Sequence, residues 1–396
     1  MVELLNLGEI YVSDFLKPGE EPGIKHELKL VLDEKIGAPR LETTAPLSSM
    51  FGKYWYRSGT NETMKAALKD VVDSILPHVN SNYGQGWFDI AGNDGTLLSF
   101  VPDNFIRFNI DPCEKSIYSQ SQSHAIVFND YFKKELVNGM QAAVITTIAM
   151  FYDIEDYSTF VKDVYEVLAE GGIWVLQLSY TPLMIQQLAF DNILSEHVYY
   201  HSLSSMKKVL EPNGFEIVDC TLNDVNGGSF RIFVKKKGQP FATQQYQDVC
   251  KFRMDSLLRM ENEMRLDSVI TWAEFDNRLQ ILKYDITTTI ARLVQDGKTI
   301  MAYGASTKGN TLLQYFGLDN TLITAIAEKQ ECKVGLRTIG TDIPIISERE
   351  MRRLKPDYLL ILPWHFIDEF VKREADYLND GGKFIVPLPK LKIIER

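Results

Sequence analysis

The sequence predicts an α/β protein: two parallel-sheet units in tandem, a small module before them and a helical bridge between them. Three observations carry this. Short apolar runs alternate with segments of helical period across residues 63–238 and again across 298–396. Each stretch contains a strand that runs into a glycine turn, Asp89-Ile-Ala-Gly-Asn-Asp-Gly95 in one and Gly304-Ala-Ser-Thr-Lys-Gly309 in the other. A chain of 396 residues also exceeds what one simple domain holds.

Residues 1–62 are rich in turn formers and weakly periodic, which reads as a small irregular module. Met64, Leu68, Val71, Val72 and Ile75 then recur at helical spacing, and Pro77 stops that helix. Trp87–Ala91, Phe105–Ile110 and Ala142–Met150 read as buried strands. Asp156 can cap a helix carrying Phe160, Val161, Val164, Val167 and Leu168, which Gly171-Gly172 ends. Ile173–Tyr180 is a further buried strand, and after an insertion Phe215–Val218 and Phe230–Val234 can pair antiparallel at the sheet edge. That is the layout of a class I methyltransferase core, Rossmann-like, over residues 63–238. Residues 239–297 read as a polar helical bridge that includes Phe275–Gln295. The remainder repeats the alternation: strand Thr299–Tyr303, helix Asn310–Phe316, strand Leu322–Ala327, strand Asp357–Leu362, a helix over Ile367–Leu378 and strand Lys383–Leu388. It is expected to be a second Rossmann-like α/β domain.

Composition narrows the partners. The formal net charge of −11 argues against nonspecific nucleic-acid binding, which needs a basic surface to displace counterions. No apolar run approaches the roughly 20 residues of a membrane span, and the start lacks the pattern of a secretory signal, so a cytoplasmic protein is expected. Its four cysteines are scattered with no CxxC pair, which supports neither a disulfide framework nor a zinc knuckle. Whether the protein is a monomer or a dimer is not legible.

The first glycine turn allows a ligand close approach to the backbone, and Asp111 at the end of the next strand can accept from two ribose hydroxyls. A glycine turn plus an acid fits NAD, a flavin or S-adenosylmethionine. The spacing is not GxGxxG, and Asp94 within the turn suits a cationic sulfonium ligand and repels pyrophosphate, which favours S-adenosylmethionine. The candidate cofactor residues are Gly92, Asn93, Asp94, Gly95, Thr96, Leu97 and Asp111, with Asp130, Tyr131 and Phe132 where a third strand would end. The second turn resembles a P-loop in outline but has Asn310 where that motif needs lysine. It still offers Ser306, Thr307 and Lys308 at a helix N-terminus as a pocket for a substrate phosphate. The insertion Phe190–Ser202 follows a strand end, where open α/β sheets bind ligands. His197 is its natural general base, with Glu196 to orient it or raise its basicity, and Tyr199 and Tyr200 beside the substrate. His197 and His201 have zinc-compatible spacing, but no third ligand stands out and no metal is expected. The segment Tyr54–Asn61 brings aromatic tips together with Arg57 and Ser58, as a cap on a cleft would.

With these segments in order, the sequence resembles the sugar C-methyltransferases that act on nucleotide-linked 4-ketohexoses, such as those that branch antibiotic deoxysugars. The resemblance runs over nearly the whole chain. It rests on Tyr56-Arg57-Ser58, Asp89 to Leu98, Ile148 to Asp153, Glu196-His197, Asn226 to Arg231, Tyr303 to Asn310, and Pro356-Asp357 with Leu362-Pro-Trp364. It implies S-adenosylmethionine as cofactor, a nucleotide-linked sugar as substrate, and His197 as the base that removes the proton α to the ketone before the enolate attacks the methyl. Tyr56 is a further catalytic candidate by the same likeness, and Asn226 a substrate contact. Two departures stand out. Residues 1–62 hold no cysteine where the family holds zinc, so packing around Phe15, Leu28, Leu30 and Val31 is expected instead. Leu194-Ser195 stands where tyrosine or cysteine then histidine is usual, which makes Ser195 a site of altered sugar contact. A non-catalytic homologue that binds both ligands, and a methyltransferase with an oxygen or nitrogen acceptor, remain alternatives.

Overall fold

A computed structural model describes residues 2–46, 55–79 and 85–396. The N-terminal module is more regular than its sequence suggests. It contains β1 (Glu3–Tyr11), β2 (Phe15–Leu16), β3 (Lys25–Asp33) and β4 (Ala38–Leu41), with β1, β3 and β4 in one antiparallel sheet. Two register irregularities in β1, between Glu3 and Leu5 and between Asn6 and Glu9, break its two-residue period and hide the strand from a pattern search. Phe15, Leu28, Leu30 and Val31 are all buried.

The first α/β unit opens with the helix Glu62–Ile75, whose Asn61 cap accepts from the Thr63 and Met64 amides. All five of its expected apolar positions are buried. The strands are β5 (Gly86–Ile90), β6 (Ile106–Ile110), β7 (Ile126–Phe128), β8 (Ala142–Ile148), β9 (Leu168–Ser179), β10 (Phe215–Asn223) and β11 (Ser229–Lys236). They form one sheet in the order β10-β11-β9-β8-β5-β6-β7. The pairs among β5 to β9 are parallel and the β9–β11 and β11–β10 pairs antiparallel, as expected of a class I methyltransferase core. One boundary differs. The helix capped by Asp156 ends at Val167, and β9 runs straight through Gly171-Gly172. A Cβ on Gly172 would lie 2.9 Å from the Ala169 carbonyl oxygen and 3.0 Å from that of Ala142, so this glycine serves close strand packing rather than a helix end.

The bridge is two long helices, Gln244–Met264 and Val269–Gln295. The C-terminal strands are β12 (Ile300–Tyr303), β13 (Ile326–Glu328), β14 (Arg337–Thr338), β15 (Ile345–Ser347), β16 (Tyr358–Ile361), β17 (Lys383–Val386) and β18 (Lys392–Ile394). Six of them form the sheet β15-β13-β12-β16-β17-β18, with only β18 antiparallel to its neighbour. The helix expected over 367–378 is two, Ile367–Arg373 and Ala375–Asn379. They meet at Glu374, which is turned inward to the Tyr303 hydroxyl and the Arg352 guanidinium.

Strand β14 pairs with β2, so the N-terminal module is hydrogen-bonded to the C-terminal unit. One hydrophobic cluster joins Leu5 and Leu30 of the N-terminal module, Phe190 and Ile193 of the loop after β9, Trp272 and Phe275 of the bridge, and Ile300 and Leu312 of the C-terminal unit. Phe190 and Ile193 are 0% exposed, and burial of such side chains contributes about 1.5–3 kcal/mol each. The loop that leads to His197 is therefore pinned between the two α/β units. Among the described residues no helix is long and apolar enough to cross a membrane.

Candidate active site

In the first sheet the strand order reverses around β5, which has β6 on one side and β8 on the other, so a crevice opens at their carboxyl ends. The glycine turn forms one wall. Ala91 and Asn93 take left-handed φ values of 59° and 53°, which bends the chain sharply after β5. Gly92 packs so tightly that a Cβ would lie 2.7 Å from Asp89 Oδ2 and collide with Asn109 Oδ1. Asp111 is held with Oδ2 accepting from the Asn93 amide and Oδ1 from the Cys113 amide, both at 2.8 Å. Its carboxylate is thereby fixed in the wall with spare lone pairs for ligand hydroxyls.

Asn93 and Asp94 look the other way from the expectation, toward Tyr56–Gly59. Asn93 Oδ1 accepts from the Ser58 amide at 3.1 Å, its Nδ2 donates to the Tyr56 carbonyl at 3.2 Å, and Asp94 Oδ2 accepts from the Gly59 amide at 2.8 Å. Asp94 Oδ1 takes the Thr96 amide and hydroxyl. Asp94 thus ties the segment at Gly59 over the crevice, and Asp94, Gly95 and Thr96 do not line the cavity. Gly95 meets Ser121, where a Cβ would have no space. Arg57 donates to the Ser116 carbonyl at 3.0 Å. Tyr54 lies outside the described residues.

A single cavity of about 830 Å³ runs from this wall to the second glycine turn. At one end it is lined by Gly92, Asn93, Leu97, Asp111, Tyr131 and Phe132, with Tyr56, Arg57 and Ser58 above. At its centre are Asp153, Glu196, His197 and Asn226, and at its far end Ser306, Thr307, Lys308 and His365. Asp130 does not reach it: its Oδ1 accepts from the Tyr131 amide and its side chain faces Lys133 at 3.5 Å.

His197 Nδ1 lies 2.7 Å from the Asn192 carbonyl oxygen. A carbonyl only accepts, so Nδ1 carries the proton and Nε2 keeps its lone pair. Burial first, and the Lys308 charge second, push the imidazole down to about 3, against the pull of the Asn192 carbonyl. It is neutral at physiological pH. The orienting role expected of Glu196 falls to Asn192, because Glu196 Oε2 is buried with no hydrogen-bond partner among the described residues. Burial pushes Glu196 up to about 7. Asp153, whose Oδ1 is also a buried orphan, is held well above the ordinary carboxylate range by burial and by Glu196. Two facing acids and a neutral imidazole therefore share the centre of the cavity.

Three expected substrate residues sit behind its wall. Ser195 is 3.2 Å through its Oγ from His26 Nδ1 on β3, so the N-terminal module occupies that side chain. Tyr199 bridges to Arg40, and the Tyr200 amide donates to the Pro39 carbonyl at 2.9 Å. Pairing with β4 turns both rings into the core. His201 stacks against Tyr199, away from His197. Among the described residues no group of three or more His, Cys, Asp or Glu is arranged to hold a metal.

The second turn departs in detail from a simple phosphate cradle. Ser306 caps the helix Thr307–Phe316 by accepting from the Gly309 amide at 3.0 Å, and Glu328 at the end of β13 takes the Ala305 amide at 2.8 Å. Lys308 is turned back into the first unit, with Nζ 2.6 Å from Asn192 Oδ1 and 3.2 Å from the Asn226 carbonyl oxygen. Residue-level reading missed Asp153 and His365. Both follow strand ends, β8 and β16, and that position was the available signal.

Residues 224–389 match the family described as C-methyltransferase C-terminal domain, and residues 60–219 match that described as methyltransferase domain. The chain is similar to the C-methyltransferase NovU of Streptomyces niveus, at 27% identity over 359 residues that cover 87% of this chain and 82% of that protein. Among solved structures it is similar to an S-adenosylmethionine-dependent methyltransferase from Clostridium acetobutylicum, at 14% identity and a TM-score of 0.35, over 45% of this chain and 94% of that one. It is also similar to magnesium protoporphyrin IX methyltransferase from Synechocystis PCC 6803 with bound S-adenosylmethionine, at 14% identity and a TM-score of 0.33, over 44% of this chain and 79% of that one.

Proposed function

We propose that this chain, which belongs to the S-adenosylmethionine-dependent C-methyltransferases, methylates the carbon beside a ketone on a nucleotide-linked sugar, with His197 as the base. The observation that carries this reading is the continuity of one cavity from the Gly92–Asp111 wall, past a neutral imidazole, to the glycine turn of the second unit. A donor and a long acceptor can then meet at His197.

S-adenosylmethionine, when bound, supplies a methyl group on a cationic sulfur. Its fit to this chain is local: Gly92 leaves room for close approach, Asp111 offers oriented acceptors for ribose hydroxyls, and Tyr131 and Phe132 offer ring faces for a base. At the acceptor, His197 Nε2 takes the proton from the carbon next to the ketone. The electron pair of that C–H bond passes into the enolate, and that carbon would take the methyl as the methyl–sulfur bond breaks and its pair stays on sulfur. Holding the partners in register supplies much of such a rate, and burial keeps the imidazole unprotonated while lowering its basicity. Tyr56, Arg57 and Ser58 close over the donor and acceptor. Thr307 and the helix N-terminus behind it face the phosphate end of the substrate. Four free cysteines and a net charge of −11 suit a cytoplasmic enzyme of small-molecule metabolism.

The test is methyl transfer from labelled S-adenosylmethionine to a thymidine-diphosphate-linked 4-ketohexose, with the product carbon assigned by NMR. Label on a ring carbon in the wild type, lost in His197→Ala, is the expected result. Label found only on an oxygen or nitrogen acceptor would overturn the reading.

A further inference from the structure

The feature that the proposed chemistry leaves unused is the half-buried ammonium of Lys308. On sequence alone this lysine belongs to a phosphate pocket at the start of the helix Thr307–Phe316. In the folded chain it points elsewhere. Nζ crosses from the C-terminal unit to the loop that carries the base, 2.6 Å from Asn192 Oδ1 and 3.2 Å from the Asn226 carbonyl oxygen.

Asn192 is the common support. Its main-chain oxygen accepts from His197 Nδ1 at 2.7 Å while its side-chain oxygen accepts from Lys308 Nζ. The residue is 1% exposed, and its Nδ2 donates to the Ala189 carbonyl at 3.1 Å, so neither oxygen can swing away. One rigid residue thus fixes the direction of the imidazole and of the ammonium together. Both line the same cavity. An ammonium has three protons to donate, and the two placed here go to neutral oxygens. Burial lowers the Lys308 ammonium from its ordinary range and Asp191 opposes this; Asp191 is itself raised by burial, and its Oδ2 already accepts from Trp364 Nε1 at 3.0 Å. Among the described residues this half-buried cation has one donor in hand and no ion-pair partner, and an anion beside it is favoured in such a setting.

We propose that Lys308 is a catalytic residue, its ammonium contacting the ketone oxygen of the acceptor and holding the negative charge that develops there as His197 removes the neighbouring proton. This rests on the ketone acceptor proposed above. The balance is complete: the C–H pair moves into the C–C bond of the enolate, the carbonyl π pair moves onto oxygen beside Lys308, and the proton resides on His197 Nε2. Charge on that oxygen exists in the transition state and not in the ground state, so Lys308 acts on turnover rather than on binding. A phosphate contact would do the reverse, since the phosphate charge is the same before and after reaction.

The experiment uses Lys308→Met and, in case that variant folds poorly, Lys308→Gln, each checked by circular dichroism and by calorimetric binding of S-adenosylhomocysteine. The first readout is deuterium uptake at the α carbon of a thymidine-diphosphate-linked 4-ketohexose in D2O with S-adenosylhomocysteine present, which needs the enolate but no methyl transfer. The second is the split of kcat and KM in full turnover, and the third the Kd of thymidine diphosphate alone. The expected result is a 10²–10³-fold loss in both exchange and kcat, with KM and the thymidine diphosphate Kd within about threefold of the wild type. Weakened thymidine diphosphate binding with kcat preserved would return Lys308 to the phosphate and overturn the assignment. Wild-type activity matched by an equally active variant overturns it too, and leaves the ketosugar reading intact. A wild type that neither exchanges nor methylates such ketones removes that reading and this assignment with it.

Discussion

Replacing Glu196 by Gln should change how stability depends on pH more than it changes stability itself. The carboxyl is pushed from 4.5 to about 7 by burial, with only its own main-chain contact opposing. Between those pH values the native chain holds a proton that the unfolded chain has released, so stability falls as pH rises from 4.5 and stops falling above 7. Integrating a single site with these two values gives a cost of about 1 kcal/mol at pH 5 and about 3 kcal/mol at pH 8. The wild type should therefore lose at most about 2 kcal/mol across that interval through this group, and Glu196→Gln should not. Other groups titrate in the same range. His197, depressed to about 3, contributes with the opposite sign, its stability being lost as pH falls from 6.5. Those contributions appear in both proteins and cancel in the difference. Asp153 is the exception, because removing the Glu196 charge lets it ionise more easily. Urea unfolding followed by circular dichroism at pH 5, 6, 7 and 8 measures the difference directly. Parallel curves for the two proteins would show that the Glu196 carboxyl is not held protonated in the cavity, and the account of that acid pair would fail.

Three further outcomes follow from the same geometry. Gly92→Ala should weaken S-adenosylhomocysteine binding by at least about tenfold in calorimetry, since the new methyl collides with Asn109 and with Asp89 at 2.7 Å and must shift the wall; unchanged affinity would remove Gly92 from the donor site. Ser195→Ala should leave kcat within about twofold and cost about 1 kcal/mol of unfolding free energy, the value of its bond to His26; a large kcat loss would bring Ser195 back to the substrate. His197→Ala should lower kcat by 10²–10⁴, and the wild-type kcat/KM should show no acid limb near 6.5, because the imidazole is already neutral there.

What could be read from the sequence was whatever depends on local pattern. The helix from Glu62 was legible because five apolar positions keep one face and Pro77 ends it. The central strands were legible because a parallel sheet covered on both faces leaves unbroken apolar runs such as Ala142–Ile148. The β1 strand was not, because its bulges remove the alternation that marks a strand, and β18 was not, because only pairing with β17 makes three residues a strand. The candidate site divides in the same way. His197 was found from its place after a strand end. Its partner was missed because a main-chain carbonyl, here that of Asn192, has no sequence signature. Tyr199 and Tyr200 looked like ligand contacts by residue type, and their main-chain pairing with Arg40 and Pro39, which places them behind the cavity wall, has no sequence signature.

The larger reason lies in where the site is built. Its base stands on a loop of the first unit, its half-buried cation on a helix of the second, and the residue behind Ser195 on a strand of the N-terminal module. No window of sequence contains these three together. They are brought into register by one shared hydrophobic cluster, which includes Leu5, Phe190, Trp272 and Leu312 from four separate stretches of chain. A cavity-forming change in that cluster, away from every ligand, should therefore cost turnover as well as stability. Phe190→Ala is the sharpest case, since its ring lies 4.8 Å from that of Tyr315 and two residues before Asn192. Loss of about 3–5 kcal/mol is expected from the cavity itself. Because Asn192 orients both His197 and Lys308, kcat should fall in the remaining folded protein with little change in S-adenosylhomocysteine affinity, as the donor wall rests on the separate Asn93–Asp111 contacts. Equal loss of donor binding and turnover would mean that the protein simply loosens as a whole, and the idea of a loop held in register by the cluster would have to go.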